Sequence, residues 1–473
     1  MRFLGREEEL AVLRRENWRG KAELVVVYGR RRVGKTALVE EAYRDDLLWK
    51  FEGIENADRA TGIRFFLRQL QQYSSCHAEW IVDDWDKALE LLAKALSSEA
   101  AGHSGRVVVF FDEFQWMCGM EEGLVSIFKY HWDNSFSALA NCVFVLCGSV
   151  SSFIVKKVVK SRALCGRIDL EIDLKPFCPS ESKALLEGSL MANAMLEVQM
   201  IFGGVPQYLL ELDPRMSLAQ NLDESAFKPT GFFFREFERL FISHFARHAV
   251  YERVLRALSD RPLGLPALAA AVETTVGGTF SERLKDLELA GFVGRQRPVG
   301  KGEKSKLLKI TLEDEYLHFY FSFIRPNSRA ILTGNIAFQR LANSGAFHQW
   351  LGYAFERLCR KNAAVIAARL GFSGVNYEAG PWFARKGLAG HGAQVDLLFR
   401  RADKVLTLCE TKHARRLQLD RVETGFGTKE DALLDAFPGY VVERVLILGR
   451  AVSNADSAKG FCHQVVLASD LFF

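Results

Sequence analysis

The sequence lacks any apolar run near the 18 or more residues of a membrane-crossing helix; its strongest runs, residues 24–28 and 107–111, are only strand length. No membrane partner is expected. The first residues, Met1-Arg2-Phe3-Leu4-Gly5-Arg6-Glu7, turn polar before a signal-type apolar core could form, and no small-residue cleavage site follows, so a cytoplasmic location is expected. Zinc spacing is absent as well. The nine cysteines contain no CxxC pair, and their odd number argues against a disulfide framework; reduced, mostly buried thiols are expected instead. Charge of one sign is not in excess: 62 Lys+Arg face 58 Asp+Glu, a net +4, so a nucleic-acid partner must be argued from where charge sits. No internal repeat or low-complexity segment is present.

What is present is the composition of a folded chain. The 473 residues are 49% hydrophobic and 25% charged, which excludes disorder, collagen-like fibres and a disulfide scaffold, and the length predicts two to four domains. In the first third, short apolar runs alternate with helical patterns, as in a parallel sheet with crossover helices. Residues 24–28, 107–111 and 143–146 are continuous apolar runs, which predicts central strands buried on both faces.

The most specific motif is Gly29-Arg30-Arg31-Arg32-Val33-Gly34-Lys35-Thr36, a complete GxxxxGKT between the strand 24–28 and the helical stretch 37–43. Glycines let the backbone bend so that successive N–H groups face phosphates, and the helix N-terminus adds its positive dipole end. Lys35 is expected to reach the β/γ phosphates and Thr36 to ligate Mg²⁺. The run Val107-Val108-Val109-Phe110-Phe111-Asp112-Glu113 is an apolar strand ending in acids: Asp112 is assigned to Mg²⁺, Glu113 to the attacking water. The next strand ends in Cys147-Gly148-Ser149, where Ser149 is a candidate γ-phosphate sensor or a loop cap.

These residues, with Phe3-Leu4-Gly5-Arg6-Glu7, Asp112-Glu113-Phe114-Gln115, Leu164-Cys165-Gly166-Arg167 and Gly203-Gly204-Val205-Pro206, resemble archaeal and bacterial ATPases of the STAND/AAA+ kind. The C-terminal part of such proteins, often catalogued as a domain of unknown function, is similar to restriction-endonuclease folds. The resemblance implies ATP as the nucleotide. It also implies that Arg167, or Arg162, contacts the γ-phosphate in cis or in a neighbouring subunit; a surface salt bridge is the competing reading. Gly204-Val205-Pro206 resembles the GxP motif that approaches the nucleotide, or is an ordinary helix-ending turn. A homo-oligomer and a monomeric switch both stay open.

Residues 251–258, 265–272 and 280–289 read as three helices, followed by strands at 291–293 and near 307–312: a winged helix. Between 245 and 330 there are 14 Lys+Arg against 10 Asp+Glu, and 295–309 holds Arg295, Arg297, Lys301, Lys304, Lys306 and Lys309 against Glu303 alone. Glu282, Asp286 and Glu288 on the third helix would repel phosphates, so DNA contact is expected from the wing, and a protein-contacting winged helix is the alternative.

The last constellation is Glu356 in the helix 347–360, Asp396 in Gln394-Val395-Asp396-Leu397-Leu398, and Glu410-Thr411-Lys412 closing the strand 404–409. Strand periodicity puts Glu410 and Lys412 on one face, and a hairpin brings Asp396 beside them, the PD-(D/E)XK order. Asp396 and Glu410, with Glu356, are expected to bind Mg²⁺, with Lys412 positioning water, and without a metal at least one acid should titrate high. His391 and His413 flank the site, where either could touch DNA or metal, with solvated loop histidines the favoured reading; Lys429 could face the same site, with an exposed lysine the favoured reading. The expected fold is α/β throughout: a P-loop NTPase domain with parallel sheet and helical lid at 1–240, a winged helix at 245–330, and a restriction-endonuclease-like α/β domain at 331–473.

Overall fold

Continuous apolar runs become central strands because each residue must be buried on one of two faces. In the computed structural model, β1 (Glu23–Tyr28), β2 (Leu47–Glu52), β3 (Val107–Asp112), β4 (Cys142–Gly148) and β5 (Leu170–Asp173) form a parallel sheet in the order β2-β3-β4-β1-β5. Leu24, Val26, Val107, Val109, Phe111, Phe144 and Leu146 feed the core on one face. Val25, Val27, Val108, Phe110, Val143, Val145 and Cys147 feed the other. Each such side chain contributes about 1.5–3 kcal/mol by leaving water, so a polar residue anywhere in these runs would cost both burial and an unsatisfied group. The sheet lies in the first of two compact units, Met1–Pro176 with Lys285–Gly291; the second is Phe177–Leu284 with Phe292–Phe473. The structure describes residues 3–15, 20–74, 82–103, 105–119, 123–149, 153–191, 194–242, 248–302, 305, 307–384 and 393–472.

Strand order decides where chemistry can gather. Strand β4 lies between β1 and β3, so the loop after β1 and the acids ending β3 emerge at the same sheet edge. A crevice beyond strand C-termini, where neighbouring strands send their chains in different directions, is where open α/β sheets bind ligands.

Helices His248–Asp260, Leu265–Ala271 and Gly278–Leu289 precede an antiparallel hairpin of β6 (Val293–Gln296) and β7 (Lys309–Leu312). The turn of this hairpin is not free. The Val299 N–H donates to the Pro381 carbonyl at 3.0 Å, and the Gly300 N–H donates to the Glu378 carboxylate at 3.1 Å. Val299 is buried in the C-terminal core beside Trp382 and Leu398. Gly300 takes φ +81°, and a Cβ there would meet the Phe437 ring at 2.6 Å. The apolar Val299 draws the turn onto the C-terminal sheet, while Arg295, Arg297 and Lys301 of the basic wing stay exposed. Glu303, Lys304 and Lys306 lie outside the described residues.

The C-terminal sheet runs β12-β11-β10-β9-β8, with β8 (Tyr377–Ala384), β9 (Ala393–Arg401), β10 (Val405–Lys412), β11 (Val441–Leu448) and β12 (Gln464–Leu467). Strands β8, β9 and β10 are antiparallel neighbours, while β10, β11 and β12 are parallel, the crossover from β10 to β11 being the helix Leu419–Ala436. Helix Gly345–Lys361, capped by the Ser344 hydroxyl accepting from the Phe347 N–H, packs its apolar stripe of Phe347, Trp350, Leu351, Ala354, Phe355 and Leu358 inward. No helix among the described residues is long and apolar enough to cross a membrane. Six of the eight described cysteines are buried and Cys165 and Cys178 are exposed, all as free thiols.

Candidate nucleotide site and a second carboxylate cluster

The phosphate loop is bent by residues that accept left-handed backbone angles: Arg32 at φ +74° and Gly34 at φ +88°. Gly29 is required by space, since a Cβ would stand 2.4 Å from the Leu174 carbonyl oxygen. Arg6 braces the loop, donating from Nη2 to the Val33 carbonyl at 3.2 Å and the Lys175 carbonyl at 2.6 Å. That role was unread in the sequence, although Arg6 lies in a motif singled out there.

Helix Lys35–Ala42 starts at the loop's end, so Lys35 and Thr36 begin its first turn. The buried Lys35 Nζ donates to the carbonyls of Gly29 (3.2 Å) and Arg30 (2.9 Å). Burial pushes its ammonium below the ordinary lysine range, partly offset by Cys147, Glu113 and Asp112. A phosphate oxygen would offer that cation a stronger, charged acceptor than two carbonyls. The Thr36 Oγ1 donates to Asp112 Oδ2 at 2.9 Å, so the two expected Mg²⁺ ligands converge. Both present hard oxygen donors, which fits Mg²⁺. Lys50, from β2, lies 3.4 Å from the same Asp112 oxygen and 2.9 Å from Glu40, a neighbour the sequence did not reveal.

Glu113 sits at φ +49° directly after β3. Ser149 Oγ donates to Glu113 Oε2 at 2.8 Å, the Ser149 N–H at 3.4 Å, and Gln115 Nε2 donates to the same oxygen. Ser149, a candidate phosphate sensor or loop cap, holds the neighbouring acid in this arrangement. Arg167 forms a two-pronged pair with Asp133, Nε to Oδ1 at 2.6 Å and Nη2 to Oδ2 at 2.9 Å, so a phosphate contact would require that pair to open. Arg162 is exposed. Among the phosphate-loop side chains, Arg30 and Val33 are buried, Arg32 is half-buried and Arg31 faces solvent.

Residues 3–212 match the sequence model of a family described as an ATPase domain found predominantly in Archaea. Over these residues the chain is similar to that family. A 367-residue stretch is 23% identical to an uncharacterized protein of Methanocaldococcus jannaschii, covering 76% of each chain. A 39-residue stretch is 51% identical to an uncharacterized ATP-binding protein of the same organism, covering 8% of this chain and 66% of that relative. Among solved structures the chain is similar to a Walker-type ATPase of Pyrococcus abyssi, at 19% identity over 67% of this chain and 96% of that one with a TM-score of 0.49. It is also similar to the ORC2 protein of Aeropyrum pernix in ADPNP–ADP complexes, at 15% identity over 69% and 93% with a TM-score of 0.43.

Beyond the ATPase domain, the C-terminal sheet assembles a second charged cluster. Register Cys409↔Leu397 carries the next residues, Glu410 and Asp396, off the ladder side by side. Lys412 Nζ lies 2.6 Å from Glu410 Oε1, as strand periodicity requires. Lys429, from helix Leu419–Ala436, pairs with Glu410 Oε2 and is only 17% exposed. It is therefore a member of the cluster, the less favoured of its two sequence readings; 18 residues of intervening chain separate it from Glu410. Glu356 faces the cluster from helix Gly345–Lys361, 3.8 Å from Arg360. Burial first, then the Asp396 carboxylate, raises Glu356 to about 7, and burial with Glu410 raises Asp396. Glu410 is held low because Lys429 and Lys412 outweigh its burial.

The cluster does not fit a metal as arranged. Among the described residues no three His, Cys, Asp or Glu side chains form a group that could hold a metal ion. The Mg²⁺ expectation for Asp396 and Glu410 meets two ammonium groups instead, on one of its two ligands. His413 is likewise corrected: its side chain is 4% exposed, 3.3 Å from Arg450 and 3.7 Å from Glu197, and burial then Arg450 lower it to about 4. His391 lies outside the described residues.

Proposed function

We propose that the protein is an ATP-hydrolysing switch whose nucleotide state is passed to a DNA-directed, nuclease-like C-terminal domain. The observation that carries the ATPase half is the convergence of Lys35, Thr36, Asp112 and Glu113 at one sheet edge. Lys35 would leave its two carbonyls for the β/γ phosphates, and the loop N–H groups would take the remaining oxygens. Thr36 and Asp112 would hold Mg²⁺, which when bound neutralises charge on the phosphates. Glu113 would accept a proton as the water oxygen bonds to the γ-phosphorus; the bond from that phosphorus to the bridging oxygen breaks, and ADP leaves with the electron pair.

Support for the C-terminal half is the sequence of elements, a helix bearing Glu356, three antiparallel strands bearing Asp396 and Glu410-x-Lys412, a crossover helix and a parallel strand. Within the second unit, a Cβ on Gly203 would meet Glu315 at 3.3 Å, and Glu315 holds Arg357, adjacent to Glu356, so the turn Gly203-Gly204-Val205-Pro206 is packed close to the helix of the charged cluster. The three helices and hairpin at 248–312 support the winged-helix reading, with a protein partner as its ligand now that the wing tip is engaged. The two lysines on Glu410 favour a second reading, in which the C-terminal domain binds a partner and cuts nothing.

Full-length protein with plasmid DNA and Mg²⁺ or Mn²⁺, with and without ATP, separates the readings. The nuclease reading expects cleavage by the wild type and none by Lys412→Ala. Intact DNA under every condition supports the non-cutting switch. Lys35→Ala should abolish ATP binding in calorimetry in either case.

A further inference from the structure

We propose that Gln115 is a positioning residue for ATP hydrolysis: it pins one oxygen of the Glu113 carboxylate so that the other oxygen takes the proton of the attacking water. The proposal rests on the ATPase reading of the first site. Gln115 follows β3 on the short helix Phe114–Gly119 and is 4% exposed. Its Nε2 donates to Glu113 Oε2 and to Ser149 Oγ at 3.3 Å. Ser149 adds its own hydroxyl and backbone N–H to that same oxygen. All three donors fall on Oε2, and none of these bonds reaches Oε1.

The amide's orientation is fixed by chemistry. A carboxylate oxygen only accepts, so the amide group facing it must be the NH₂. The Ser149 hydroxyl spends its proton on Glu113, which leaves its lone pair to accept from Gln115, closing a three-membered ring of hydrogen bonds. Reversing the amide would set two acceptors against each other at Glu113 and at Ser149. The amide oxygen is then turned to Gly148, buried and without a hydrogen-bond partner among the described residues. Any side chain at 148 would collide with it, since a Cβ there would stand 2.4 Å from that oxygen and 2.6 Å from Ile154. A buried amide held in one orientation against a reactive carboxylate points to a positioning role.

Pinning matters because the carboxylate can otherwise rotate. With Oε2 saturated by donors, Oε1 is the better base, and rotating the group would break three hydrogen bonds at once. A misplacement of the base by about 1 Å can cost on the order of 100-fold in rate.

The test is a double-mutant cycle on full-length protein, reading ATP turnover and calorimetric ATP binding for Gln115→Met, Glu113→Gln and both together. Met keeps the volume and removes the donors. The proposal expects Gln115→Met to lower kcat by about 10- to 100-fold with KM changed less than about twofold. In the Glu113→Gln background the same change should cost less than about twofold more, because there is no longer a base to position. If Gln115→Met does not fold, Ser149→Ala removes another donor from Oε2 and should show the same dependence on Glu113. Wild-type turnover by Gln115→Met, or a loss that multiplies fully with Glu113→Gln, overturns the proposal. A wild-type protein that neither binds nor hydrolyses ATP overturns the ATPase reading beneath it, a different and distinguishable failure.

Discussion

A single arginine shows how much of the nucleotide site depends on residues that touch no ligand. Arg6 is 4% exposed, its backbone is left-handed at φ +64°, and it ties the phosphate loop at Val33 to the segment after β5 at Lys175. Charged hydrogen bonds of this kind are worth about 1.5–3 kcal/mol each, and an unsatisfied buried carbonyl adds to the loss. Arg6→Ala should therefore weaken ATP binding by at least tenfold in calorimetry and lower the melting temperature. Unchanged affinity would show that the loop keeps its shape without the brace.

Among the elements, helix Gly345–Lys361 is the most instructive because its faces serve different neighbours. Its apolar stripe joins the core, Glu356 looks to the carboxylate cluster, and Arg357 and Lys361 meet Glu315 at 2.8 and 2.9 Å. Burial opposes the Glu315 charge, but Arg357 and Lys361 outweigh it and hold the carboxyl at about 2. Breaking a buried pair from one side costs about 3–5 kcal/mol, toward the lower figure here since Lys361 reaches solvent. Between pH 4.5 and about 2 the folded state binds fewer protons at Glu315 than the unfolded state does, so stability rises with pH through that window and is lost as pH falls. His318, three residues on, donates from Nε2 to the Leu312 carbonyl at 3.1 Å and is lowered by burial to about 3, so it adds the same sign of loss from pH 6.5 down to about 3. Thermal melting of Glu315→Gln should sit lower than wild type at pH 7 and fall less steeply below pH 4.5. Parallel curves for the two proteins would contradict the ion-pair account.

Elements also mark what could be read in advance. Strands β1, β3 and β4 were legible because a strand buried on both faces needs an unbroken apolar run. The order of Glu356, Asp396, Glu410 and Lys412 was legible because strand periodicity and hairpin pairing are local rules. Strands β2 and β5, with Lys50 and Glu171 breaking their apolar pattern, carried no such signal. Nor did Lys429, the buried tip of the β6–β7 hairpin or His413, since each is set by a partner distant in sequence.

For the whole molecule, the proposed ATP hydrolysis turns on Glu113. General-base catalysis contributes about 10²–10⁴-fold in rate, and amide replacement removes it while keeping shape and hydrogen bonding. The most direct measurement is steady-state ATP turnover of Glu113→Gln beside its calorimetric ATP affinity, both against wild type. The account predicts affinity within about threefold and a kcat lower by about 10²–10⁴-fold. A Glu113→Gln protein that hydrolyses ATP at the wild-type rate would contradict it.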